Sequence, residues 1–343
     1  MALCILVAGN YIASGQCSIL VNGGEISGDQ TVCYGSKIAL ISKSPPTFNS
    51  YDDSYSWTYK WQCRENNSEL WESYDGNVSP PILITSRSFM KTTQIRRQVT
   101  DNKGCVLYSN VITITVNPVP TVNTIDNITV CSNGPVNAIL FGTTVSSPEV
   151  LYSWEADGNW SVVGLPSKTG TGNIEAFTAK SNTGTTAVST TITVTPKIED
   201  CSGPSKKFTI TVNPVPTVNA IDDVTACSGG PVNAITFGTT INSPEVLYSW
   251  EADDNWSVVG LPSKTGTGDI VAFTANSNIG TAAVSTEITV TPKIEDCSGP
   301  SKKFTITVNP VPTVNAIDNV TACSNGSVNA VSFGTTINSP EVL

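Results

Sequence analysis

The chain has 343 residues, with 18 Lys and Arg against 28 Asp and Glu, a formal charge of -10 and no histidine. That charge balance supplies no basic surface to displace counterions from nucleic acid or to hold an anionic membrane. A histidine-based triad or a His-containing zinc site lacks its parts, and no stretch is long enough for a spanning helix, so no direct membrane insertion is expected.

Residues 1–23 open the chain with an apolar run, Met1 to Ala8, that lacks the basic segment of an export signal. Tyr11 to Ser18 reads as a turn closing an earlier strand, and 1–23 is therefore expected to be the end of a preceding repeat. Cys17 fits the late position of such a repeat.

Residues 24–118 are expected to form the first complete β-sandwich. Tyr55, Trp57, Tyr59 and Trp61 alternate as one face of a strand, Trp71 follows, and Arg96-Arg97 precedes a strand end at Val99. Two readings stay open for the aromatics. They pack as a core ladder, or Trp57, Trp61 and Trp71 form a candidate aromatic binding surface for a sugar. Cys63 stands out of register, with Cys4, another chain or no partner as its alternatives.

The phrase Asn-Pro-Val-Pro-Thr-Val-Asn begins at Asn117, Asn213 and Asn309, and marks three joints. Two prolines per joint restrict φ and disfavour helix at the preceding residues, so each joint should be an extended, stiff connection. Between them, Thr121–Pro216 and Thr217–Pro312 align without a gap over 96 residues and differ at 15. Self-similarity at this period marks an array of small modules. The expected divisions are 119–214, 215–310 and a truncated start of another repeat at 311–343, which makes both chain ends look like cuts in a longer protein.

Within the second repeat, Val150, Tyr152 and Trp154 share a strand face, as do Val188, Thr190, Ile192 and Val194, and then Phe208, Ile210 and Val212. This period of two predicts an all-β fold of tandem two-sheet sandwiches in an extended array. Asp157-Gly158 offers a tight turn after the Trp154 strand, and Pro196 is expected to end the next long one. Gly164 to Gly172 lacks the order of a phosphate loop and reads as structural. Glu155-Ala156-Asp157 and Glu251-Ala252-Asp253-Asp254 cluster acids without the twelve-residue calcium pattern; solvated turns and weak calcium binding are the two readings. Asn127-Ile128-Thr129 and Asn159-Trp160-Ser161 match glycosylation acceptors, a pattern common by chance in such a chain.

The cysteines follow the repeat. Cys33, Cys131, Cys227 and Cys323 open units, and Cys105, Cys201 and Cys297 stand 72, 70 and 70 residues after the first three. We expect structural disulfides Cys33–Cys105, Cys131–Cys201 and Cys227–Cys297, each within one module and each restricting the unfolded chain by roughly 4 kcal/mol. Such bonds point to a secreted or cell-surface protein.

Cys131-Ser132-Asn133-Gly134-Pro135-Val136-Asn137, Tyr152-Ser153-Trp154, Thr169 to Ile174 and Cys201 to Asn213 resemble, in that order, the PKD-like or immunoglobulin-like repeats of large surface proteins of Bacteroidetes, including gliding-motility-associated and adhesin-like proteins. Gly28 to Gly35, Tyr59-Lys60-Trp61-Gln62, Arg96-Arg97 and Cys105 to Asn117 resemble a related type. The pattern departs at Cys63, Leu140 and Thr236. The resemblance implies a stalk or an adhesive surface, with a cell-surface glycan or protein as candidate partner. It carries over no catalytic, cofactor-binding or metal-binding residue. A non-catalytic extracellular spacer is the expected function, with direct adhesion as the alternative.

Overall fold

A computed structural model describes residues 20–48, 56–65, 68–73, 82–84 and 88–337. The expectations for residues 1–19, Tyr55, Cys4 and Cys17 fall outside them.

The described chain is almost entirely β. In the first sandwich, Trp57–Glu65 pairs antiparallel with Thr93–Asp101 in unbroken register, from Trp57 opposite Asp101 to Glu65 opposite Thr93. Because side chains alternate across a strand, this register sorts them into two faces. Trp61, Ile95, Arg97 and Val99 point inward and are fully buried. Lys60, Gln62, Arg64, Gln94, Arg96 and Gln98 stand on the other face. The core reading of Trp61 thus holds, and its neighbours in the core are Ile26, Phe89, Ile95, Ile112 and Ile114.

The main sheet runs Gln30–Cys33, Ile112–Asn117, Thr93–Asp101, Trp57–Glu65, Glu72–Ser73, with Val106–Tyr108 also on the Thr93–Asp101 strand. A second sheet of Glu25–Ile26, Ala39–Ser44 and Ile82–Ile84 forms the other layer. The first strand of the main sheet lies parallel to its last, which sets Cys33 beside Asn117, where the chain leaves the sandwich.

The third repeat has the same order: Val224–Cys227, Lys302–Asn309, Val284–Ile294, Leu247–Ala252, Thr265–Thr267, with Cys297–Ser298 on the long strand. The second repeat copies it strand for strand. The faces expected from alternation are found: Ile192, Val194, Ile210 and Val212 are 0% exposed, and Phe208 is 1%. Trp250 centres the core of the third repeat with Val259, Leu261, Ile288, Val290, Phe304 and Ile306. A Cβ at Gly266, opposite Trp250 in the register, would stand 2.3 Å from the indole, which explains a glycine inside that strand.

One local expectation is corrected. Pro196 does not end its strand, since Val188–Ile198 runs through it. The equivalent Pro292 falls between the Val290–Lys302 and Lys293–Ser298 pairs, where the register shifts by one residue and Gly299 N donates to the Pro292 carbonyl, so the missing N–H falls at a break in the ladder. The turn expected at Asp157-Gly158 is present and leads into a single helical turn, Trp160–Val163, closed by Gly164 at φ 91°.

By internal contacts the chain gathers into two units. One holds the described residues up to Thr124 together with Phe141–Trp154 and Val194–Lys206; the other holds Ile125–Leu140, Glu155–Thr193 and the described residues from Lys207 onward. The late hairpin of the second repeat therefore belongs with the first sandwich.

Candidate functional site

Two features stand out: the cross-links at the joints and the outer face of the first sandwich. The cross-links overturn the expected pairing. Cys33 is bonded to Cys201 and Cys131 to Cys297, with Cα atoms 5.3 Å apart in both. Each bond runs from the opening cysteine of one repeat to the late cysteine of the next. Cys105 is also disulfide-bonded, while Cys227 is exposed and unbonded.

The reason lies in the strand order. Cys227 sits beside Asn309 at the end of the sandwich where the chain leaves. Cys297 sits beside Ile294, at the other end of a strand whose Val284 pairs with Val308. Ten residues of extended strand separate the two ends, about 33 Å, and a disulfide cannot span Cα atoms more than about 7 Å apart. An opening cysteine therefore meets the late hairpin of the following repeat and never its own.

The joints are built interfaces as well. A Cβ at Gly203 would lie 1.9 Å from the carbonyl oxygen of Pro120, and one at Gly299 would lie 1.9 Å from that of Pro216, so the hairpin touches the proline joint in both places. Asn117 Nδ2 donates to Glu199 Oε2 at 3.1 Å. At the second joint, Asn242 N donates to the Thr185 carbonyl at 2.8 Å and Ala187 N to that of Ser243 at 3.1 Å. Glu199 and Glu295, next to the bonded cysteines, hold φ of 48° and 50°, a left-handed conformation that costs a non-glycine residue.

The three candidate tryptophans do not form one surface. Trp61 is buried, and Trp57 packs on Phe48 at 4.6 Å between ring centres and donates to Tyr59 Oη. Only Trp71 reaches the outer face, where side chains absent from the sequence expectation join it. The Arg96 guanidinium lies 4.0 Å from the Trp71 ring centre and 3.8 Å from that of Tyr108, and Arg64 lies 4.7 Å from Trp71. Glutamines align these arginines: Arg96 Nε donates to Gln62 Oε1 at 2.8 Å, and Arg64 Nε to Gln94 Oε1 at 2.7 Å. Neither arginine is paired to a carboxylate among the described residues. Burial pulls the Arg96 guanidinium below its ordinary range, against the raising effect of Tyr108. One sequence signal could have found this face: all four arginines of the chain fall between Arg64 and Arg97.

The adjacent Arg97 points the other way. It is fully buried, donates to the carbonyls of Gly23 at 2.8 Å and Ser44 at 3.0 Å, and lies 5.4 Å from the Tyr59 ring centre. Cys63, likewise on the inner face, packs against the first core.

The acidic turns are structural. Asp157 accepts hydrogen bonds from Thr190 Oγ1 at 2.7 Å, Thr191 N at 2.9 Å and Asn159 N at 3.0 Å; Asp253 accepts from Thr286 Oγ1, Glu287 N and Asn255 N. These bonds, led by the threonine hydroxyl, hold both carboxyls below the usual aspartate range. Among the described residues no three His, Cys, Asp or Glu side chains group as a metal site, and no helix is long and apolar enough to cross a membrane. The glycosylation-type asparagines are engaged too, Asn127 Oδ1 accepting from Thr209 N and Asn159 Nδ2 donating to the Ser189 carbonyl.

Sandwiches with a parallel first-to-last pairing, repeated in tandem, define a modular β array. A family model described as PKD-like domain matches residues 128–216 and 224–312, together just over half of the chain, which thus belongs to the PKD-like domain family. A model described as Domain of unknown function (DUF8696) matches residues 22–118. Comparison with curated protein sequences found no match. Among solved structures, the chain is similar to extracellular domains 3-5 of Drosophila OTK at 13% identity, covering 85% of this chain and 97% of that one with a TM-score of 0.34. The three N-terminal domains of the bacteriophage RB49 outer capsid protein Hoc match at 15% identity, with 84% and 98% covered and a TM-score of 0.37. Human CDH23 EC21-23 matches at 11%, with 82% and 99% covered and a TM-score of 0.38.

Proposed function

We propose that the chain is a covalently braced array of repeats in an extracellular adhesion-type protein, one that carries tension between a surface and whatever the protein displays. The observation behind this reading is the repeat-to-repeat disulfide. Each bond bypasses a proline joint, so tension does not fall on the peptide linker alone. Disulfides persist in oxidising compartments, which supports a secreted or cell-surface location. The resemblance of the repeats to Bacteroidetes surface and gliding-motility proteins supports a bacterial parent of that kind.

The two disulfide loops overlap between Cys131 and Cys201. The shortest covalent route from Cys33 to Cys297 therefore crosses one bond, returns along about 70 residues, and crosses the other. Pulled between its ends in a force spectrometer, that segment should extend to about 250 Å when oxidised and about 900 Å when reduced. Equal extension in both states would refute a braced array.

Direct adhesion is a second reading, favoured by the outer face of the first sandwich. Among the described residues, Lys60, Arg64 and Arg96 are cations without carboxylate partners, beside the half-exposed Trp71 and Tyr108 in a chain of net negative charge. An acidic surface protein or a charged glycan would complement them. Binding of the whole chain to surface proteins and glycan panels should fall at least about tenfold in the Arg64→Ala, Arg96→Ala double variant, the weight of about 1.4 kcal/mol. Retained binding by a well-folded variant would exclude this face.

A further inference from the structure

The two observed bonds set a rule of which Cys227 is the next term. Cys33 and Cys131 occupy its position in their repeats, and both are bonded to the late cysteine of the repeat that follows. The surroundings repeat as well. Asn117 and Asn213 at the joints are each 2% exposed, and Pro120 and Pro216 are buried where the late hairpin's glycine meets them. At the third joint the same positions are open: Asn309 is only half-buried, Pro312 and Cys227 are exposed, and Val311 is 44% exposed.

From this uncovered seat we infer that Cys227 and the Asn309–Pro312 joint are a docking site for the late hairpin of another PKD-like repeat, closed by a disulfide to that hairpin's cysteine. The hairpin would carry the Glu-Asp-Cys-Ser-Gly-Pro sequence found at Glu199–Pro204 and Glu295–Pro300. A second oxidised copy of this chain does not fit the role, because its late cysteines, Cys105, Cys201 and Cys297, are already bonded. Cys323 does not fit either, since it holds the opening position, and neither observed bond joins two opening cysteines.

Chemically, two S–H bonds break and one S–S bond forms. The two protons pass to water, and the electron pair passes to an oxidised protein disulfide that exchanges with the thiols. The inference rests on the braced-array reading and extends it to a specific acceptor.

The test appends a copy of Tyr248–Pro312 after Leu343, which completes a fourth repeat because Ser339–Leu343 has the sequence of Ser243–Leu247. Non-reducing peptide mapping of this extended chain should show Cys227 joined to the added copy of Cys297. Maleimide should label Cys227 in the original chain, lose that labelling in the extended one, and regain it when the added cysteine is changed to serine. A Cys227–Cys323 bond, or a Cys227 thiol that still reacts while Cys131–Cys297 is intact in the same sample, would overturn the inference. Cross-linking at Cys227 without any effect of reduction on extension would sink the tension-bearing reading alone.

Discussion

Asp157 and Asp253 show how the turn around a side chain sets its role. Each belongs to an acidic cluster that the sequence reads as a solvated turn or a weak calcium site, and each carboxylate is engaged by a threonine hydroxyl and two backbone N–H groups of its own repeat. A carboxyl whose folded pKa is depressed adds stability that is present above its unfolded pKa, about 3.9, and is lost as pH falls through the folded value. The Asp157→Asn, Asp253→Asn double variant should therefore melt below the wild type at pH 7, with the gap closing below about pH 4. A gap unchanged across a pH series of melting curves would contradict this account. Arg96 and Arg97 teach the same lesson: adjacent on one strand, they face opposite sides of the sheet. Arg97 is sealed against carbonyls inside, whereas Arg96 lies on Trp71 and Tyr108 outside. A dipeptide of two arginines does not say which faces in until the register with Trp61 is known.

At the scale of elements, the late hairpin is the part on which the joints depend. Its glycine lets the backbone come against the preceding proline carbonyl, and its cysteine then lies within bonding reach of the opening strand. Gly299→Ala would drive a Cβ into Pro216, with no flexible side chain there to yield. Overpacking of this kind costs about 1–3 kcal/mol. The variant should melt earlier and leave a measurable fraction of Cys131 and Cys297 as free thiols in a quantitative thiol assay. Full oxidation and an unchanged melt would show that the hairpin seats without that contact. Asn182 supports the same end of the second repeat, donating to the Val212 and Thr186 carbonyls at 3.0 and 2.9 Å, and Asn278 copies its bond to the last strand.

Across the whole molecule, the sequence by itself determined the period, the all-β character and the inward face of nearly every long strand. These are legible because alternation is a property of adjacent residues and repetition needs only comparison of the chain with itself. It also showed that the cysteines belong to the repeat. It did not show how they pair, because a recurring interval of 70 to 72 residues is equally compatible with a bond inside a module and with two cysteines at its opposite ends. Only the parallel pairing of first and last strands put the opening cysteine at the end where the chain leaves. That placed it next to the following repeat's hairpin and some ten extended residues from its own late partner. The cation-rich face of the first sandwich was hidden for a related reason: Arg64, Trp71, Arg96 and Tyr108 come from four separate stretches, and only the sheet brings them together.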